Sequence, residues 1–135
     1  MPAATKNLTG TDVIEAGATW FRTYKLVNSS GTAYNLTDHD FTAKFRPSYY
    51  AVDADCFSAT CTVTDAANGT ITVKITDADT QAYQIRDVAK QKDGLKGVYT
   101  ISSQKTSTSA SSIGTTNDDI RWIEGTWEMT LDANY

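Results

Sequence analysis

The most constraining feature of this chain is its strict alternation of apolar and polar residues. In Gly69-Thr-Ile-Thr-Val-Lys-Ile-Thr76, the side chains of Ile71, Val73 and Ile75 share one face, and Thr70, Thr72, Lys74 and Thr76 share the other. A helix would scatter these residues around its axis, whereas a strand sorts them onto two sides. One dry and one wet face marks antiparallel sheet, because buried parallel strands read as unbroken apolar runs. The chain is therefore expected to be all-β and mainly antiparallel.

The same period locates further strands. One is expected over about Ala18–Val27, with Trp20, Tyr24 and Leu26 on one face and Phe21 and Thr23 on the other. Phe41–Arg46 alternates Phe41, Ala43 and Phe45 against Thr42, Lys44 and Arg46, and Pro47 stops it because proline donates nothing to a ladder. Cys56–Thr64 places Phe57, Ala59, Cys61 and Val63 inward, and Lys96–Lys105 places Tyr99 and Ile101 there. Asp119–Glu124 and Thr126–Leu131 flank Gly125, with Trp127, Met129 and Leu131 facing in. Tyr34–Thr37 reads as a short edge, and Asp38-His39-Asp40 as a solvated corner.

Turn chemistry separates these runs at Asn28-Ser-Ser-Gly31 and Asp65-Ala-Ala-Asn-Gly69. One short helical turn is expected at Asp77–Arg86, capped by Thr76 or Asp77. The Ser/Thr tract Thr106–Asn117 lacks apolar residues to pack, and reads as a mobile tip or a loop ordered by a partner. Seven or eight strands of this kind suggest an immunoglobulin-like antiparallel β-sandwich, with a small barrel as the alternative.

A length of 135 residues fits one domain, taken as residues 12–135 behind a polar arm at residues 1–11. Twelve basic against 16 acidic residues give a net charge of −4. With no basic cluster to offset that charge, nucleic acid is not an expected partner. No run approaches the roughly 20 apolar residues of a membrane helix, so no membrane association is expected. Met1-Pro-Ala-Ala-Thr-Lys6 lacks the apolar core of a signal peptide, which points to use without export. The sequons at Asn7, Asn28, Asn35 and Asn68 then read as turn residues.

Little catalytic chemistry stands out. His39 lies between two aspartates with no nucleophile motif near it. The pairs Asp53/Asp55, Asp77/Asp79 and Asp118/Asp119 do not form a calcium loop. Cys56 and Cys61, five apart, point to opposite faces of a straight strand, so a buried Cys61 beside a more exposed Cys56 is expected, with a disulfide as the alternative if a turn falls between them. No enzyme, metal or cofactor is expected. Among the aromatics, Trp20 and Trp127 have apolar neighbours in phase and belong to the core. Tyr49 and Tyr50 follow Pro47 in a loop and are surface candidates, and Trp122 is open to either role.

The order of segments carries a resemblance. Glu15-Ala-Gly-Ala-Thr-Trp20 leads to Asn28-Ser-Ser-Gly-Thr-Ala-Tyr-Asn-Leu-Thr37, and then to Phe41-Thr-Ala-Lys-Phe-Arg-Pro47. Asn68-Gly-Thr-Ile-Thr-Val-Lys-Ile-Thr-Asp-Ala-Asp-Thr80, Gly97-Val-Tyr-Thr-Ile101 and Trp122-Ile-Glu-Gly-Thr-Trp-Glu-Met-Thr130 follow. Over about residues 12–132 this resembles the small β-sandwich modules of tailed-bacteriophage virion proteins, found in baseplate and fibre-attachment subunits. The resemblance implies a multi-copy structural subunit without a cofactor. Its partners would be other virion proteins and copies of itself, and it would be assembled in the bacterial cytoplasm. A tail or baseplate accessory role leads, with capsid decoration and a carbohydrate-binding module as alternatives. Contact candidates are Tyr49, Tyr50 and Trp122, with Thr5, Lys6, Asn7 and Leu8 of the arm.

Overall fold

The computed structural model describes residues 4–9, 12–47, 56–80, 95–106 and 119–130. Its strands are β1 (Ala4–Thr5), β2 (Ile14–Glu15), β3 (Trp20–Lys25), β4 (His39–Arg46), β5 (Phe57–Asp65), β6 (Thr70–Ile75), β7 (Leu95–Lys105) and β8 (Asp119–Thr130). They form one eight-stranded sheet in the order β1-β8-β7-β4-β5-β6-β3, with β2 also on β8. The all-β expectation holds, and the expected strands at β3 to β7 lie where the alternation put them.

The sheet curls because β5 serves two neighbours. Its first residues, Phe57–Ala59, pair with β4, and Thr60–Asp65 pair with β6. The two halves of the sheet turn toward one core, and Trp20 of β3 meets Phe45 of β4 edge to face at 6.3 Å. Ile71, Val73 and Ile75 are fully buried, as the alternation requires. Both turns use left-handed glycine: Gly31 at φ 84° and Gly69 at φ 65°. Asn28 Oδ1 accepts from the N–H groups of Ser30 and Thr32, closing the first of them. Residues 77–80 form a helical turn in which Thr76 Oγ1 accepts from the Asp79 N–H at 3.2 Å, and the rest of the expected Asp77–Arg86 turn lies outside the described residues.

Several expectations need correction. Not all pairings are antiparallel, because β1 and β2 both run parallel to β8. The arm expected at residues 1–11 is docked over residues 4–9: the N–H groups of Lys6 and Leu8 donate to the carbonyls of Glu124 and Thr126, and Leu8 is 2% exposed. His39 is not solvated; it opens β4 in phase with Phe41, Ala43 and Phe45 and is buried, and the turn before it is taken by Asp38 at φ 64°. The cysteines are reversed, with Cys56 buried and Cys61 half-buried, both reduced. Burial pushes the Cys61 thiol up to about 12.

β8 is a single strand of 12 residues where two were expected. Gly125 lies inside it opposite Tyr99 of β7, and Gly97 of β7 lies opposite Trp127 of β8. At both places an aromatic group reaches past a glycine to a carbonyl on the next strand. The Tyr99 hydroxyl donates to the Lys6 carbonyl at 2.6 Å, and Trp127 Nε1 donates to the Arg46 carbonyl at 3.0 Å. A methyl group on either glycine would collide with that same carbonyl. Burial also raises the Tyr99 pKa, so its hydroxyl stays a donor into alkaline solution.

Candidate functional site

β3 forms one end of the sheet. The Leu26 N–H donates to the Gly69 carbonyl, which fixes the phase of the β3–β6 ladder. Backbone groups on a strand point alternately to its two edges, so residues 20, 22 and 24 face β6 while Phe21, Thr23 and Lys25 face outward. The Thr23 and Thr72 hydroxyls, 3.3 Å apart, agree with a close pair that exchanges no backbone hydrogen bonds. No described strand pairs with the outer edge of β3. Arg22 blunts one end of that edge: its Nη1 donates to the Phe21 carbonyl at 2.7 Å. The same guanidinium lies 5.2 Å over the Trp20 ring and is ion-paired with Asp12 at 3.3 Å. Thr23 and Lys25 lie beyond the reach of that cap.

Those two residues border a cleft of about 400 Å³. Residues 23–27 line one side, Ala4 and Lys6 the other, and Tyr34, Trp122 and Ile123 lie at its base. The two ends of the curled sheet, β3 and β1, thus face a common gap. Of the two exposed large apolar side chains among the described residues, Val27 at 43% lines this cleft, while Phe21 at 60% lies farther along β3, outside it.

A β-bulge shapes the base of the cleft. Ile101 pairs with Ile123 while Ser102 pairs with Arg121, which leaves Trp122 as an extra residue on β8. Consecutive residues Trp122 and Ile123 are therefore both buried, and Arg121 and Glu124 turn to the other face, ion-paired at 3.3 Å. The Trp122 ring packs edge-on to Tyr34 at 5.1 Å and stacks on Phe41 at 6.2 Å. Its Nε1 donates to Ser103 Oγ at 2.8 Å, and Ser103 Oγ lies 3.0 Å from His39 Nδ1. Ser103 and His39 are 3% and 5% exposed, so this serine–histidine contact satisfies polar atoms inside the core. The opposite face of the sheet carries a groove of about 460 Å³ lined by Thr42, Lys44, Arg46, Ser102, Arg121 and Glu124, with Arg121 already paired.

The contact candidates fare differently. Tyr49 and Tyr50 lie outside the described residues. Trp122 is 5% exposed and belongs to the base of the cleft rather than to an open platform. Leu8 is core. Thr5, Lys6 and Asn7 are exposed, and Asn7 Oδ1 accepts from the Thr126 N–H at 3.2 Å. Sequence reasoning missed the β3 edge as a specific feature, although exposed Phe21, out of phase with Trp20 and Tyr24, was a visible signal for it. Neither a protein-family model nor a curated protein sequence matches this chain.

Proposed function

We propose that this chain is a non-enzymatic structural subunit of a tailed-bacteriophage virion, a tail or baseplate accessory protein that assembles through its sheet edges. The observation that carries the proposal is the outer edge of β3 at Thr23 and Lys25, beside an amphipathic cleft. Unpaired strand edges are templates for another chain's backbone, and natural proteins usually cover them or blunt them along their length. Here the arginine cap covers one end only.

The immunoglobulin-like sandwich belongs to the same proposal. It is supported by two halves of a curled sheet folded over one core, and by the order of segments that resembles phage modules. Placing His39 and Ser103 in that core supports an assembly role over a catalytic one. Capsid decoration is the same role at another place on the particle. A carbohydrate-binding module would use an open aromatic platform, and Trp122 is packed between Phe41 and Tyr34.

Quantitative mass spectrometry of purified particles from the phage that encodes this chain tests the proposal. Several copies per particle, retained through density-gradient purification, are expected. A chain found in the lysate and absent from particles would rule the virion role out.

A further inference from the structure

We infer that the gap between β3 and β1 receives an extended, acidic peptide segment from a neighbouring protein, which adds a strand to β3. The inference rests on the assembly reading above and names the kind of partner. On the β3 side, Thr23 and Lys25 present peptide groups that no described strand uses. On the β1 side, Lys6 and Leu8 turn their backbone to β8, so Thr5 and Asn7 face outward. The gap thus has open strand backbone along its β3 side, Ala4 and Lys6 along the other, and an aromatic and aliphatic base.

Size and charge define the occupant. A strand fills about 160 Å³ per residue, from a rise of about 3.3 Å, a strand spacing of about 4.8 Å and a layer about 10 Å deep. The 400 Å³ gap then takes about two or three residues, which matches the open stretch from Thr23 to Lys25. Its lining carries two charged side chains, Lys6 and Lys25, both exposed and both positive, on a chain of net charge −4. An incoming strand with apolar residues facing Trp122 and Ile123, and a carboxylate facing Lys25, satisfies both. A basic segment would meet like charge.

The test is selection from a displayed library of random ten-residue peptides against the purified full chain. Enriched peptides should alternate apolar residues and carry Asp or Glu, and their binding should slow hydrogen exchange at the Thr23 and Lys25 amides. Thr23→Pro removes one outward donor without touching the β6 ladder, and should weaken the selected peptides about tenfold. Lys25→Glu keeps the backbone edge and should reverse the charge preference, which covers the case in which the proline variant does not fold. The inference is overturned if no peptide is enriched, if the enriched peptides are basic, or if they bind both variants as well as the parent. It is also overturned if the chain alone forms a dimer that protects the same amides, since a second copy then fills the gap. Peptide capture involves no particle. If capture fails for a chain that is present in particles, only this inference falls; if it succeeds for a chain absent from particles, only the virion role falls.

Discussion

Replacing Trp127 with alanine should lower the melting temperature by roughly 10–20 °C, or leave the chain unfolded at 37 °C. Trp127 is fully buried, and its ring meets Phe45 at 6.4 Å and Phe57 at 5.2 Å, both edge to face. Truncating a buried tryptophan to alanine costs about 3–5 kcal/mol, against the roughly 5–15 kcal/mol that holds a typical domain together. The change also takes the indole N–H from the Arg46 carbonyl. Trp127→Phe separates the two losses. It keeps most of the apolar volume and should cost less than half as much, as read by urea denaturation. Equal losses in the two variants would show that the hydrogen bond, and not the packing, dominates.

The second large effect is expected from adding a single methyl group. Gly97→Ala drives a Cβ into the Arg46 carbonyl, with the Pro47 Cα 2.8 Å away, and β4 lies inside the sheet between β7 and β5. A backbone held on both sides has little room to yield. The cost should reach or exceed the upper end of the roughly 1–3 kcal/mol typical of overpacking. Gly125→Ala makes the equivalent collision with the Lys6 carbonyl, but β1 is a short strand at the sheet's end. It can lift away, so the loss should be smaller and local. Exchange protection should disappear at the Lys6 and Leu8 amides while β4 to β6 keep theirs. Were Gly125→Ala the more damaging of the two, β1 would be anchored more firmly than its single parallel pairing suggests.

These two glycines also mark where sequence reasoning stopped. Alternation is local, so it located β3, β4, β6 and β7 and separated exposed Phe21 from buried Trp20. Proline and glycine chemistry located the end of β4 and the turn at Gly69. Gly125 instead read as a break, because the reason for a glycine there is a carbonyl 119 positions earlier in the chain, and only the register of β7 against β8 brings the two together. Leu8 was the lone large apolar residue in a polar segment, and its parallel bridge to Trp127 is equally long-range.

Other misreadings had visible signals. His39 falls in phase with Phe41, Ala43 and Phe45, yet its two flanking aspartates suggested solvent. The phase was the better guide, because Asp38 and Asp40 point away while His39 reaches Ser103. The adjacent pair Trp122-Ile123 breaks period two inside a strand, which is the sequence trace of a bulge. For the candidate site, exposed Phe21 was legible. The gap between β3 and β1 was not, because it exists only once the sheet has curled through β5.

Amide hydrogen exchange on the isolated chain, resolved residue by residue by NMR, tests most directly whether the sheet ends at an open β3 edge. Arg22, Tyr24 and Leu26, whose N–H groups face β6, should exchange slowly, while Thr23 and Lys25 should exchange close to the rate of an unstructured peptide. Alternating fast and slow amides along one strand is the expected result. Uniformly slow exchange from Arg22 to Leu26 would mean that the edge is already covered, which would contradict the account.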